Sequence, residues 1–408
     1  MTAAVIAIFV ATYLGMAAGR VPGLKIDRAG IALVAGVALV AIGAVPAPRV
    51  AAAIHFPTLL LLAALMVISA RFAAAGFYGW AAAWIAAHRG GVDLLLAMTV
   101  LVAGVLSAVL VNDVVVFVMT PLLCAGLARR GLDPRPFLAA LAGASNAGSA
   151  ATLIGNPQNI MIGQVGALGF WKFVAACIVP AAIALAIVFV TVRWMWRGTL
   201  FARAEAVPPE AAPLDRAQLA IPAAAVVLLL VLFATPLPRE LSAVAVAAVL
   251  LASRRFASRD MLVAVDWPLI LLFTGLFIVN DALAATGATR DVFAWLAAHG
   301  LVPDRVSLLA PLALVFSNTI GNVPAVIMLL AIWPNAPEGA LYGLALLSTL
   351  AGNLFLVGSI ANLIVAERAA ASGVRFGFAD HLRAGVPMTL ASVVAAALWL
   401  RLGSWVEW

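Results

Sequence analysis

Long apolar stretches, each near the length of a bilayer-crossing helix and separated by short polar breaks, fill this chain from end to end. None alternates apolar and polar residues as an outer-membrane strand does. The pattern predicts crossings at roughly 2–19, 29–46, 57–75, 137–163 and 171–193, and again at roughly 218–235, 240–253, 267–285, 340–366 and 384–402. Crossings 137–163 and 340–366 are interrupted near Gly155 and Gly358. Ahead of each lies an amphipathic piece, then an apolar segment broken at Asn112-Asp113 or at Asn322-Val323-Pro324. These segments read as re-entrant hairpins at about 92–128 and 303–333.

The two halves keep one order. Pro57 and Gly76 correspond to Pro268 and Gly287, Ser107 and Asn112 to Ser317 and Asn322, and Ser145, Gly155 and Asn159 to Ser348, Gly358 and Asn362. Five crossings per half is an odd number, so the second copy sits upside down relative to the first. The expected fold class is therefore an all-α integral membrane protein, with about ten transmembrane helices plus two re-entrant hairpins in two inverted-topology repeats. The repeats are placed at 1–196 and 218–408. A cytoplasmic linker at 197–217, with Pro208, Pro209, Pro213, Glu205, Glu210 and Asp215, separates them.

Composition agrees. With 65% hydrophobic and 10% charged residues and a mean hydropathy of +1.15, a water-soluble domain would expose far too much apolar surface. No signal peptide is evident, because Met1 to Gly19 carries no charge before its apolar run. Cys124 and Cys177 lie in or beside apolar segments and read as buried thiols. The eleven tryptophans mostly fall near predicted helix ends, where indoles anchor to the membrane interface.

The net charge of +7 follows from orientation. With both termini outside, the outer face receives Arg49, Lys172, Arg239, Arg290, Arg305 and Arg401. Of the 24 basic residues, setting aside those six and Arg71 leaves seventeen, Arg20, Arg28, Arg89 and Arg203 among them, for the cytoplasmic face. No nucleic-acid partner is implied. The expected setting is a bacterial inner (plasma) membrane.

A broken helix in hydrocarbon leaves backbone groups unsatisfied, so such breaks survive where they line a cavity or hold a ligand. Asn156 before Pro157 reads as a helix start, with Asn capping free amides and Pro at the first helical position. Helix starts after Asn112, Asn156, Asn322 and Gly358 would aim free N–H groups at a shared centre, which suits an anion or a polyhydroxylated solute. The substrate-binding candidates are Asn112, Ser145, Asn146, Gly155, Asn156, Asn159, Asn322, Pro324, Ser348, Asn353, Gly358, Ser359 and Asn362. Asp113 is the carboxylate at a hairpin tip; with Ser107, Asn112, Thr152, Ser317 and Asn318 it is the candidate coupling-ion site. No Lys or Arg falls at the predicted midplane, so an anion would rely on helix dipoles, Asn and Ser donors and a co-bound cation. Asp281 reads as an interfacial cap or ion pair, and Asp93 as a helix cap. His55, His88, His299 and His381 fall in loops or helix ends, and none is a site candidate.

Asn112-Asp113 with Thr120-Pro121, then Ala151-Thr152-Leu153-Ile154-Gly155-Asn156-Pro157-Gln158-Asn159, resembles the hairpin and broken-helix signatures of the ion transporter superfamily. That group spans arsenite permeases, citrate-metal permeases and divalent anion:sodium symporters. Asn322-Val323-Pro324 and Ala351-Gly352-Asn353 to Asn362 resemble the second-copy motifs. Ser317-Asn318-Thr319 spells the tip triplet of the dicarboxylate symporters, but four residues early by the repeat register, so dicarboxylate specificity does not transfer. The tips look closer to the arsenite-permease-like branch and to anion permeases.

The resemblance implies an elevator-type secondary transporter, usually a homodimer, with substrate held between hairpin tips and broken-helix loops. The expected function is transport of a small anion or oxyanion coupled to Na+ or H+, with arsenite or antimonite export by proton antiport as the alternative and a passive channel behind both. An enzyme is not expected, since neither a His-Glu-x-x-His nor a Gly-x-Ser-x-Gly motif is present. No cofactor is implied beyond the coupling ion.

Overall fold

The computed structural model describes residues 1–19, 23–88, 90–200, 214–333 and 335–407. Most of the predicted linker, with Pro208, Pro209, Pro213, Glu205, Glu210 and Arg203, lies outside the described residues, as do Arg20, Arg89 and Trp408. Among the described residues the chain is helical, with one isolated bridge between Arg305 and Glu407.

The first half runs α1 (Thr2–Ala18), α2 (Arg28–Ala41), a short α3 (Ala47–Ala53), α4 (Phe56–Ala74), α5 (Phe77–Ala87), α6 (Val92–Val109), α7 (Asn112–Arg129), α8 (Arg135–Ser149), α9 (Pro157–Val165), α10 (Phe170–Met195) and the single turn α11 (Arg197–Leu200). The second half runs α12 (Arg216–Leu232), α13 (Arg239–Leu251), α14 (Ser258–Val263), α15 (Trp267–Ala285), α16 (Ala288–Ala298), α17 (Val306–Thr319), α18 (Asn322–Ile332), α19 (Glu338–Ala351), a 3-10 turn at Leu356–Gly358, α20 (Ile360–Ala371) and α21 (Phe378–Leu402). Six of these, α4, α6, α7, α10, α15 and α21, are long and apolar enough to cross a membrane.

Local chemistry sets the helix starts. His55 accepts from the Thr58 amide at the head of α4, and Asp266 accepts from the Leu269 amide at the head of α15. Each is followed by an aromatic residue and a proline in the first turn, where proline's missing N–H costs nothing.

The helices pack in reciprocal pairs. α2 lies along α15 and α13 along α4; α6 lies on α8 and α17 on α19; α7 lies on α20 and α18 on α9; α10 meets α21. α1 and α12 join the first of these groups, while α5 and α16 rest on α7 and α18. α8 and α19 occupy the centre, and α8 is buried from Pro136 through Ser149.

The arms of the predicted hairpins differ. α6 and α7 have 18 residues each, whereas α17 and α18 have 14 and 11. At 1.5 Å per residue the arms of the first hairpin are each about 27 Å long, enough to cross by length.

Asp281 pairs with Arg49 at 3.1 Å, as an interfacial ion pair would. Asp93 makes no helix cap; both its oxygens accept from Arg193 at 2.9 Å. The last crossing begins at Phe378, upstream of the expected 384, because Asp380 accepts from the Gly377 amide and starts the helix earlier.

Candidate functional site

α8 stops at Ser149 and the chain turns through seven irregular residues before α9. Asn156 holds the restart in extended backbone, and its Oδ1 accepts from the Asn159 amide at 2.8 Å with Pro157 first in the helix. Gly155 is required by space: a Cβ there would stand 2.3 Å from the Ser149 carbonyl oxygen. In the second half, α19 ends at Ala351 and Ser359 takes the position that Asn156 holds.

The two breaks are tied in one way. Asn159 Nδ2 donates to the carbonyls of Ser149 and Thr152 at 3.2 and 2.9 Å. Asn362 Nδ2 donates to those of Gly352 and Phe355 at 2.8 and 3.2 Å, ten and seven residues back in both cases. Carbonyls that the interrupted helices leave free are thus satisfied by an asparagine from the restarted one.

Each hairpin tip seats on a break. The Asn112 amide donates to the Gly155 carbonyl at 3.0 Å, Thr152 Oγ1 donates to the Ala108 carbonyl, and Ser107 Oγ donates to Ser145 Oγ at 3.1 Å. On the other side Asn318 donates to the Ala351 carbonyl at 2.8 Å and accepts from the Phe355 amide at 3.2 Å. Neither Asn112 nor Asn322 caps its helix, since Val111 and Gly321 hold the cap positions. Gly321 takes φ +94°, a backbone geometry that a side chain strains.

Freed from capping, the tip asparagines turn inward, and a fixed chain of bonds sets the direction of one of them. Asn362 and Asn353 donate to backbone carbonyls, which can only accept, so their Oδ1 atoms must face Asn146. Asn146 Nδ2 donates to both, at 3.1 and 2.8 Å. Its Oδ1 then accepts from Ser359 Oγ at 3.0 Å and from Asn112 Nδ2 at 3.4 Å. The far end of Asn112 is therefore a carbonyl oxygen, buried and unpartnered, as is Asn322 Oδ1. Ser317 Oγ is also buried without a partner. A parallel link crosses from Asn156 Nδ2 to Thr349 Oγ1 at 3.3 Å, joined by Gln158 Nε2 at 3.2 Å.

A small cavity of about 20 Å³, room for about one water, collects these features. Asn112 and Asp113 line it from the start of α7, Pro157 and Gln158 from α9, Asn322, Val323 and Pro324 from α18, and Ser359 and Ile360 from the head of α20. All four helix starts meet there. Asp113 also borders a second cavity of about 380 Å³ that contains Asp266 and is otherwise apolar, with Met66, Phe117 and Ile364 in its wall.

One feature of this cavity corrects the expectation from sequence. Arg28 lines it, and the Cβ of an alanine at Gly321 would lie 3.5 Å from Arg28 Nη1. A guanidinium thus stands at the site, where none was expected. Arg28 also borders a wider vestibule of about 430 Å³ between α15 and α20, whose wall includes Leu272, Leu363, Asp27, Asp266 and Glu367. The corresponding position in the first half is closed, because α4 packs on α9.

Asn112, Asp113, Asn322, Pro324 and Ser359 face the cavity, while Asn146, Asn156, Asn159, Asn353 and Asn362 form the network that holds its walls. Gly155 lets backbone approach closely, and Gly358 makes room for the Asn318 side chain. Ser348 donates weakly to its own helix at Ala345, so it is packing rather than lining. Besides Arg28, sequence reasoning passed over Gln158, Thr349 and His381. His381 does lie in a first helical turn, yet it is fully buried, with Nε2 2.9 Å from the Asn353 carbonyl. Thr349 was readable, being the register partner of Asn146. Arg28 had a signal too, since a cation in the first turn of a helix opposes the helix dipole.

The family model of citrate transporters matches residues 7–340. The chain belongs to the citrate transporter family. Within that family setting, it is 28% identical over 98% of its length to an uncharacterized transporter of Mycobacterium tuberculosis, of which it covers 99%. It is also 28% identical to a silicon efflux transporter of Oryza sativa, with 91% of each chain covered. A putative transporter named arsB from Dictyostelium discoideum is 23% identical over 91% of this chain and 86% of its own. Among solved structures, the YdaH transporter of Alcanivorax borkumensis is similar in fold, with a TM-score of 0.57 at 16% identity, covering 98% of this chain and 97% of that one. This member of the citrate transporter family is thus an integral membrane transporter and not an enzyme.

Proposed function

We propose that this chain is a secondary active transporter that moves a small anion or oxyanion in exchange for, or together with, Na+ or H+. The observation that carries the reading is the convergence of four helix starts on one cavity beside Asp113. Helix N-termini supply N–H donors and partial positive charge to an anion without a full desolvated cation at each contact. Asp113, placed between the central cavity and the second one, is where a coupling cation or proton binds. Ser107 and Thr152 hold the tip around it through their bonds to Ser145 and to the Ala108 carbonyl, and Asn318 holds the opposite tip on the Ala351 carbonyl.

The architecture behind this function is two inverted repeats with ten crossings and two re-entrant hairpins. It is supported by the paired asparagines at the breaks, by the reciprocal helix contacts and by the seating of the Asn112 amide on the break at Gly155. In this reading α6 and α7 meet at mid-depth in spite of their length. The group of α1, α2, α4, α12, α13 and α15 is the static scaffold. The remainder moves against it as an elevator, in a homodimer with both termini outside the plasma membrane.

A second reading has its own observation. Asn112 Oδ1 and Asn322 Oδ1 are acceptors and suit hydroxyl donors, so a neutral hydroxylated solute such as arsenous or silicic acid would also be recognised, with proton antiport as the drive. Reconstituted protein should be assayed for uptake of citrate, sulfate, arsenite and silicic acid under imposed Na+ and H+ gradients. Gradient-driven accumulation of an anion is the expected result. Accumulation of the neutral solutes alone selects the second reading, and flux linear in concentration and indifferent to both gradients overturns secondary transport altogether.

A further inference from the structure

We infer that Arg28 reads the charge of the substrate: its guanidinium binds an anionic oxygen at the inner mouth of the site and makes the transporter prefer an anion over a neutral hydroxylated solute. The inference rests on the anion-transport reading above.

Arg28 carries five N–H donors. It is the first residue of α2, and Nε donates to the Met16 carbonyl at 3.1 Å. That carbonyl belongs to the last turn of α1, where it also accepts from the Gly19 amide at 3.2 Å and where the negative helix end favours a cation. This bond occupies one donor and fixes the plane of the guanidinium. Among the described residues Arg28 forms no ion pair. An arginine serving only as a cytoplasmic-side anchor would extend to water. Arg28 instead turns toward the Gly321 turn and lines the cavity with Asn112, Asp113, Asn322 and Ser359.

The vestibule holds three carboxylates: Asp27 Oδ1 accepts from the Gly30 amide and Asp266 Oδ1 from the Leu269 amide, each at a helix start, and Glu367 is the third. Arg28 is the basic residue shared by the vestibule and the central cavity. A planar fork of donors fixed at one end and free at the other matches a carboxylate or oxyanion in geometry as well as charge. The substrate would meet Arg28 first and the four helix starts next, so the guanidinium sits where a charged and an uncharged solute of similar size are told apart.

The test compares wild type, Arg28→Lys and Arg28→Gln in proteoliposomes, with citrate and silicic acid as probes and thermal unfolding in citrate as a binding readout. In Arg28→Gln the KM for citrate should rise about ten- to a hundredfold, the range of a charge-assisted hydrogen bond. Silicic acid flux should stay within about twofold, and the citrate-dependent rise in melting temperature should vanish. Arg28→Lys should fall between, since it keeps the charge and loses the fork. Equal loss of both fluxes means that Arg28 only caps α1, and an unchanged citrate KM overturns the inference directly. Wild-type protein that moves silicic acid but not citrate or sulfate refutes the anion reading itself, an outcome distinct from either.

Discussion

Asn146 on α8 donates from Nδ2 to Oδ1 of Asn353, 207 residues away, across 2.8 Å of fully buried interior. This bond joins the two halves at the centre of the fold. Through Asn146 it also determines which end of Asn112 faces the cavity.

Removing that junction should be costly. Asn146→Ala leaves Asn353, Asn362 and Ser359 short of a partner, and each buried unmet group costs about 1–3 kcal/mol. A lowered melting temperature in detergent, with transport lost, is the expected outcome. A double-mutant cycle of Asn146→Ala with Asn353→Ala should give a coupling above about 0.5 kcal/mol. Additivity of the two would show that the bond carries no energy.

Gly155→Ala should abolish transport, because its Cβ would meet the Ser149 carbonyl oxygen at 2.3 Å. Gly91→Ala, with open space around its position, is the matched control and should leave transport unchanged. Uptake assays on both variants decide the point; equal activity would mean that the break tolerates a side chain.

Asp113→Asn keeps the size and hydrogen-bonding reach of the side chain while removing its charge. Gradient-dependent uptake should disappear while the protein still elutes as a folded species and unfolds at an unchanged temperature. Wild-type dependence on pH and Na+ in this variant refutes the coupling role.

Arg49→Ala should matter little. Its ion pair with Asp281 is half exposed, and such pairs contribute about 0–1 kcal/mol. A melting temperature moved by no more than a few degrees, with normal transport, checks this.

Much of this molecule was legible in its sequence because membrane helices announce themselves by length and hydropathy, and because the polar breaks occur twice. Asn156-Pro157 fixed a helix start correctly, since capping and proline chemistry are local. Asn112 and Asn322 resemble it in sequence, yet both line the cavity instead of capping, and the direction of Asn112 is set by Asn146 from another part of the chain. Arg28 left only a faint local signal, a cation in a first helical turn. Its reach into the site depends on the packing of α1 beside α2 and on the Gly321 turn, and no nearby residue encodes either.

A vestibule of about 430 Å³ lies between α15 and α20, whereas α4 and α9 pack directly on one another. Under the proposed inverted-repeat architecture, that mismatch would make one half the engaged arrangement and the other the disengaged one. Under the proposed mechanism, exchanging the roles of the halves would close the gap beside Leu272 and part α4 from α9. The same cargo chamber would then face the opposite compartment, and under that mechanism one static fold would hold the blueprint for both ends of the working stroke.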